Sequence, residues 1–210
     1  MNNAIIITQS FSSAEFHDCM RLTYQRHATY ARAHNMDYWH ILGDIEPDKL
    51  RGGWGKVKLI QQALAQGYDY VFWIDADAVI VDMDTDLRTA FTGEGSIGCC
   101  VHDAHGIPRH LNVGVTFVHN TPLSKEFVDE WLNDYPGDLQ WMEQGTFNKL
   151  YKVDKYAGLV FEMDNRFNST KDVNEAKAPV IAGFHGMRPL VARLDGIRNI
   201  CREDFLNFRV

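Results

Sequence analysis

The sequence predicts an α/β fold in which helices flank a central, mostly parallel sheet within a single domain. Residues 4–8 and 36–42 are short apolar runs typical of buried strands, and a helix is predicted between them over residues 14–33. This β-α-β order is typical of nucleotide-binding half-domains. With 210 residues, 45% of them hydrophobic, the chain has enough apolar material for one core.

The remaining elements follow from apolar spacing, caps and turn residues. The first helix begins after Ser12 or Ser13 as N-cap, and Gly67 closes a second helix over residues 54–65. Further strands are predicted from residue 70 to the carboxylates at 75 and 77, and at 96–101, 111–120, 159–163 and 180–184. Helices are predicted at 84–91, 122–135, 140–150 and part of 190–208. We expect residues 1–101 to form a nucleotide-binding half and residues 102–210 an acceptor and metal-binding half.

Composition excludes several functional classes. The net charge of −7 argues against a surface for nucleic acid, which requires many Lys and Arg contacts. The four cysteines have neither zinc spacing nor the density of a disulfide-rich domain, which favours a reducing compartment. Because the sequence also shows neither a signal peptide nor an apolar segment of about 20 residues, we expect a cytoplasmic protein without a membrane span.

Two carboxylates, Asp75 and Asp77, follow the apolar run 70–74 at the predicted end of a central strand. The carboxyl ends of strands in open α/β sheets border the ligand crevice. If the strand continues to Asp77, or turns just before it, both side chains can reach one divalent ion that also holds a diphosphate. The alternative is that the pair only caps a turn, although acids flanked by apolar residues are costly to bury without a partner.

Other polar residues are predicted at the same edge of the sheet. Thr8, Gln9 and Ser10 follow the first strand and would lie at the mouth of the nucleotide-binding half. Gly114, inside the strand predicted at 111–120, removes a side chain where a ligand or backbone comes close.

Five motifs together resemble one glycosyltransferase family, which includes fungal α-mannan galactosyl- and mannosyltransferases and plant xyloglucan xylosyltransferases. The five motifs lie between residues 54 and 150, and a weaker similarity occurs at His185. The motifs are Trp54-x-Lys56-Val57, the segment 70–80 with Asp75-x-Asp77, the segment 111–120 with Asn112-x-Gly114, Trp131, and Glu143-Gln144. The resemblance implies a GT-A fold, a metal-dependent nucleotide-sugar donor such as a UDP-sugar, and retention of anomeric configuration.

The resemblance also implies which residues bind the metal and the diphosphate. Asp75 and Asp77 correspond to the DxD pair, and His185, followed by Gly186, to a third ligand of Mn²⁺ or Mg²⁺. Relatives place a Lys further past this His, whereas here the nearest cation is Arg188, whose planar guanidinium suits phosphate oxygens. The other histidines of the chain are predicted to be structural.

Donor-sugar contacts are implied in the same way. Lys56 or Lys58 would supply a positive charge near the donor, with the family pattern favouring Lys56, and Asn112 and Gly114 would contact the sugar. Glu143 and Gln144 open a helix, where an acidic residue also simply complements the helix N-terminus. Their family counterparts contact the donor sugar, with the Gln144 amide near the anomeric carbon; an amide is a poor nucleophile, which favours same-face attack.

Two other classes are compatible with parts of this pattern. The Asp-x-Asp motif also occurs in phosphohydrolases of the haloacid dehalogenase type, but there on the first strand. A nucleotide-sugar-binding protein without transfer activity is the other alternative. The expected acceptor is a saccharide, held by the loops 43–53 and 102–110 and by the C-terminal tail. A modified nucleic-acid base is the alternative acceptor. We expect the loop 43–53 and residues 185–189 to order over the bound donor.

Overall fold

A computed structural model describes residues 3–11, 13–46, 50, 52–102, 109–137 and 140–206, with side chains to residue 202. The strands are β1 (Ala4–Ser10), β2 (Asp37–Leu42), β3 (Tyr70–Ile74), β4 (Ala78–Ile80), β5 (Ile97–Val101), β6 (Leu111–His119), β7 (Val160–Glu162), β8 (Ser169–Thr170) and β9 (Ile181–Gly183). The helices are α1 (Ala14–Ala33), α2 (Trp54–Ala65), α3 (Pro122–Asn133), α4 (Met142–Leu150) and α5 (Leu190–Leu206).

A six-stranded sheet with the order β2-β1-β3-β6-β5-β7 forms the centre of the fold. Its neighbouring strands are parallel except where β6 pairs with β3 and β5. Because β6 runs in the opposite direction, its first residues lie at the edge where β1, β3 and β5 end. The predicted mostly parallel α/β sheet is confirmed, and this edge collects the polar residues singled out above.

The alternation of side chains along the strands divides the core between the two faces of this sheet. Ile5 and Ile7 face the cluster that contains α2 and α3, whereas Ile6 and Phe72 pack with Tyr30 of α1 on the other face. At the start of α1, the Ser13 hydroxyl accepts a hydrogen bond from the Phe16 N–H at 3.4 Å, one of the two N-caps predicted from the sequence.

A second, three-stranded sheet with the order β4-β9-β8 was not predicted. The sequence predicted a strand from Tyr70 that either continues to Asp77 or turns just before it. In the structure β3 ends at Ile74 and the chain turns, with the Ala78 N–H donating to the Asp75 carbonyl at 3.0 Å. Residues after this turn pair antiparallel with β9 and not with the central sheet. The helix predicted over 84–91 is a short 3-10 helix, Leu87–Ala90.

The C-terminal helix α5 closes the fold against α1 and the second sheet. Cys19 and Met20 of α1 pack with Val79 of β4 and with Ile197 and Cys201 of α5 in a separate apolar cluster. This packing brings the first turn of α5 next to the turn between β3 and β4. None of the helices that the structure describes has both the length and the apolar character that a membrane crossing requires.

Candidate active site

The turn between β3 and β4 presents Asp75 to the strand β6. The Asp75 N–H donates to the Gly114 carbonyl at 2.8 Å, and its Oδ1 accepts from the Trp73 indole at 2.7 Å. Gly114 allows this approach, since a Cβ there would lie 3.0 Å from Asp75 Oδ2 and 2.8 Å from the Asn112 side-chain oxygen. The close contact predicted at Gly114 is therefore with a carboxylate of the protein itself.

Lys56 joins α2 to two carboxylates of the site. Its Nζ lies 3.1 Å from Asp75 Oδ1, 3.4 Å from Glu143 Oε1 and 3.0 Å from the Val113 carbonyl, while the side chain is only 2% exposed. Burial alone would lower the pKa of Lys56, but Asp75 and Glu143 outweigh it and raise the pKa above its ordinary value. Lys56 is the lysine at the site, whereas the Lys58 ammonium bonds to Gln61 on the helix surface.

Asp77 is buried beside an arginine from the C-terminal helix. Arg193 Nη1 lies 3.3 Å from Asp77 Oδ2, and the same guanidinium pairs with Glu15 at the start of α1. Burial and the neighbouring Asp75 raise the pKa of Asp77 to about 7, against the opposing charge of Arg193. Arg188 remains the cation predicted to contact the diphosphate, whereas Arg193 was not predicted at the site.

His185 lies next to the aspartate turn because β9 pairs with β4. The Phe184 N–H donates to the Asp77 carbonyl at 2.9 Å, continuing the ladder in which Gly183 pairs with Ala78. His185 Nε2 lies 3.0 Å from His102 Nδ1 and 3.4 Å from the Thr170 hydroxyl. Burial, followed by His102, lowers the pKa of His185 to about 3, so the ring is neutral near pH 7.

The three predicted metal ligands are thus neighbours that each bond to another protein group. Asp75 pairs with Lys56, Asp77 with Arg193 and His185 with His102. Within the described ranges, no three His, Cys, Asp or Glu side chains converge into a ready-made metal cluster. Two carboxylates and a neutral imidazole are nevertheless the ligand types that suit Mn²⁺ or Mg²⁺.

Helix α4 brings Glu143 and Gln144 to the start of β6. The Gln144 Oε1 accepts from the Val113 N–H at 3.2 Å, and its Nε2 lies 2.8 Å from His110 Nε2. The Glu143 carboxylate points at Lys56 and fills space beside Gly53, where a Cβ would collide with it. Burial raises the pKa of Glu143, although Lys56 opposes the shift.

Asn112 is held in place by its neighbours on β6 and in the segment before β8. Its side-chain oxygen accepts hydrogen bonds from the Gly114 N–H at 2.8 Å and from the Asn168 amide at 3.0 Å. Asn168 was not singled out by the sequence analysis, because it has no motif and reaches the site through the fold alone.

Thr8, Gln9 and Ser10 lie at the predicted end of β1 but are almost fully buried, at 0%, 1% and 0% exposed. The Gln9 amide donates to the Gly43 carbonyl at 2.8 Å. Its Oε1 and the Ser10 hydroxyl have no hydrogen-bond partner among the described residues. Their predicted contact with a nucleotide stays a prediction, since these side chains are covered in this structure.

Two cavities meet at Gln144 and Trp141, which line both. The first, which we call the Lys56 cavity, has a volume of about 530 Å³ and is bordered by Phe11, Ser13, Phe16, Asp44, Gly52, Gly53, Lys56, Asp75, Gln140, Met142 and Glu143. The second, the His185 cavity, has a volume of about 580 Å³ and is bordered by His102, His110, Asn112, residues 170–173 and residues 183–188. The pair of cavities therefore runs from the end of β1 past Gln144 to His185.

Gly186 and Arg188 border the His185 cavity from the segment after β9. Gly186 has a φ of 71°, in the region that favours glycine, and Arg188 is exposed and has no ion pair within the described part of the chain. Of the two loops predicted to border the acceptor, residues 47–49, 51 and 103–108 lie outside the described residues. His102 and His110, predicted to be structural, both lie against the site.

Part of the chain is similar in sequence to glycosyltransferases. Residues 2–94 match the model of the galactosyl transferase GMA12/MNN10 family. This match includes the first strand and helix but ends before the motifs at 111–144. Galactomannan galactosyltransferase 1 of Cyamopsis tetragonoloba is 29% identical over 124 residues, covering 55% of this chain and 28% of that protein. Probable glycosyltransferase 6 of Oryza sativa is 24% identical over 123 residues, or 56% of this chain and 25% of that one. The matches thus span about a quarter of these relatives.

Solved structures extend the similarity of fold to nearly the whole chain. A glycosyltransferase involved in the glycosylation of the major capsid of PBCV-1 superposes with a TM-score of 0.74 at 16% identity, covering 94% of this chain and 99% of that one. The galactosyltransferase LgtC, solved with donor and acceptor sugar analogs, gives 0.60 at 16% identity, covering 95% of both chains. The chain therefore has the GT-A glycosyltransferase fold predicted from its motifs, and residues 2–94 match the galactosyl transferase GMA12/MNN10 family.

Proposed function

We propose that this protein is a metal-dependent, retaining glycosyltransferase that moves a hexose or pentose from a nucleotide-sugar, such as a UDP-sugar, to a hydroxyl of a saccharide. The observation that supports this most directly is the position of the Gln144 amide between two cavities, next to an aspartate turn. Transfer requires two adjoining substrate sites and a reacting centre that both can reach.

The Lys56 cavity has features that suit the donor. It lies beside the start of α1 and the start of α2, and helix N-termini present backbone N–H groups and a positive dipole end to anions such as a diphosphate. Within the part of the chain that the structure describes, no side chain caps the N-terminus of α2. The His185 cavity then borders the acceptor, and Arg188 and Gly186 would contact the diphosphate from that side.

Asp75, Asp77 and His185 would hold the divalent ion, with Mn²⁺ or Mg²⁺ as the candidates. The fit is chemical: two carboxylates share one turn, and burial and Asp75 raise the pKa of Asp77 even with Arg193 beside it, so a further positive charge would stabilise the pair. Bound there, the ion would supply charge that stabilises the departing diphosphate. Asp75 and Asp77 would then exchange their contacts with Lys56 and Arg193 for contacts with the ion.

Retention of configuration follows from the residues that flank the reacting centre. An inverting enzyme needs a general base opposite the leaving group, and the Gln144 amide cannot take a proton near pH 7. Glu143 is the nearest alternative base, but its carboxylate is 11% exposed and points at Lys56. These contacts keep Glu143 as a charge partner of Lys56, and a donor phosphate oxygen is then the proton acceptor.

The overall organisation is part of the same proposal. Residues 1–101 would serve mainly the nucleotide and residues 102–210 the acceptor and the metal, with the loop 43–53 and residues 185–189 ordering over the donor. A cytoplasmic location is supported by the four cysteines, which are all buried and lack the density of a disulfide-rich domain.

Thermal-shift screening of a nucleotide-sugar panel with Mn²⁺ tests the donor assignment. A ligand at a hundred times its dissociation constant stabilises the folded protein by about 2.7 kcal/mol. We expect stabilisation by a UDP-sugar with Mn²⁺ and a smaller effect with EDTA. Equal stabilisation in Mn²⁺ and EDTA would argue against metal dependence.

A further inference from the structure

His102 lies against the candidate metal ligand His185 but has no part in the function proposed so far. It follows β5 at the edge of the central sheet where the aspartate turn also lies, and it is only 2% exposed. The centroids of the two imidazole rings lie 4.8 Å apart, and the angle between the ring planes is 23°. Three contacts fix how protons are arranged across this pair.

The first contact assigns the proton of His102. Its Nε2 lies 3.3 Å from the Asn168 carbonyl, which can only accept a hydrogen bond, so Nε2 must carry a proton. The second contact assigns the proton of His185. Its Nε2 lies 3.0 Å from His102 Nδ1, and two lone pairs would repel at this distance, so one proton lies between them. Burial of both rings disfavours a charged imidazolium, so this proton belongs to His185 Nε2.

The remaining nitrogen, His185 Nδ1, is then unprotonated. A Cβ on Gly183 would lie 3.1 Å from this atom and closer still to the Asn168 side-chain oxygen and the Thr170 hydroxyl, so the glycine lets these polar atoms approach one another. Gly183 pairs with Ala78, the residue after Asp77, so this group of atoms adjoins the aspartate turn. The Thr170 hydroxyl, at 3.4 Å from His185 Nε2, is a weaker second partner that can accept from the same N–H.

We propose that His102 is a positioning residue that holds His185 as the Nε2–H tautomer and so presents Nδ1 to the divalent ion. The Asn168 carbonyl orients His102, and His102 orients His185, in the manner in which outer hydrogen-bond partners commonly fix the ring of a metal-binding histidine. The proposal rests on the proposed function for its metal, but the tautomer itself is a property of the metal-free protein.

Nitrogen-15 NMR of histidine-labelled, metal-free protein tests the tautomer directly, because protonated and unprotonated ring nitrogens have well-separated shifts. We expect Nε2–H with unprotonated Nδ1 for His185 in the wild type. His102→Phe removes the acceptor and should abolish this preference, whereas His102→Gln supplies an amide oxygen for His185 and an N–H for Asn168 and should keep it. Thr170→Val is the matched control and should leave the tautomer unchanged.

Binding of Mn²⁺, followed by the loss of its free-ion electron paramagnetic resonance signal, measures the consequence. Removing an outer partner typically weakens metal binding about 10- to 100-fold, which is the effect expected for His102→Phe, with most of the affinity restored in His102→Gln. An Nδ1–H tautomer in the wild type, or an unchanged tautomer in His102→Phe, would overturn the proposal. Failure of the proposed function is distinguishable, since the wild type would then show the Nε2–H tautomer without binding Mn²⁺.

Discussion

Replacing Lys56 by Met should strongly destabilise the protein, because it leaves two buried carboxylates without their shared cation. The ammonium lies 3.1 Å from Asp75 Oδ1 and 3.4 Å from Glu143 Oε1, and the exposed fractions of the three side chains are 2%, 24% and 11%. At an effective dielectric constant of about 20, each attraction has a gross magnitude of about 5 kcal/mol. Much of this offsets the loss of hydration on burial, so we expect a net cost of about 3–5 kcal/mol.

Most of that cost should arise from the stranded carboxylate of Glu143, the more buried of the two acids. Lys56→Met combined with Glu143→Gln removes both charges and keeps both shapes, so the double variant should be more stable than Lys56→Met alone. We expect a coupling energy above about 1 kcal/mol between the two positions, as is found for residues that share one ion-pair network.

Urea unfolding of the wild type, both single variants and the double variant measures these quantities as one cycle. Lys58→Met is the matched control: Lys58 lies on the same helix and, among the described residues, bonds to Gln61, so its loss should change stability by less than about 0.5 kcal/mol. A loss below about 1 kcal/mol for Lys56→Met, or strictly additive effects in the cycle, would refute the description of Lys56 as the cation of a buried network.

Three further predictions follow from the same contacts. Gln144→Ala should lower turnover far more than donor affinity, and proton NMR of the product should show an α-linked product from an α-linked donor; a β-linked product would refute retention. Gly114→Ala should weaken Mn²⁺ binding in calorimetry, because its Cβ would lie 3.0 Å from Asp75 Oδ2, and unchanged binding would argue against Asp75 as a ligand. Burial, with Arg26, lowers the pKa of His27 from 6.5 to about 3, so its stabilising effect is complete above pH 6.5 and is lost as the pH falls toward 3. His27→Gln keeps an acceptor for the Ile80 N–H but cannot take up this proton. In urea unfolding, the wild type should therefore lose about 1.4 kcal/mol more stability than the variant between neutral pH and about pH 5.5. Equal losses in both proteins would contradict the assignment.

The parts of the fold that sequence patterns predicted are those with strong local signals. The Ser13 N-cap, the Gly67 turn after α2 and Pro122 at the start of α3 each act within one turn of their element. The second sheet was missed because β8 has two residues and β4 has three, too few for a periodic pattern. Its existence depends on pairing between segments about 100 residues apart.

The candidate site shows the same division. Asp75, Asn112 and Gln144 were found through motifs, and the fold does bring them to one edge of the sheet. Arg193 and His102 have no motif, and they reach the site through helix packing and through the end of β5. The sequence did contain a weak signal for Arg193. This residue lies next to Leu194 on the apolar side of a predicted helix, where a charged side chain is unusual and requires a partner.

The most direct test of the central claim is transfer of radiolabelled sugar from a panel of sugar nucleotides to saccharide acceptors by the wild type and Asp77→Asn. Because burial and Asp75 raise the pKa of Asp77 to about 7, a neutral side chain is compatible with the fold, and circular dichroism should show no change in the variant. We expect Mn²⁺-dependent transfer, or slow hydrolysis of one donor, by the wild type and none by Asp77→Asn. Donor binding without turnover, hydrolysis of phosphate esters in its place, or full activity of the variant in EDTA would contradict the account.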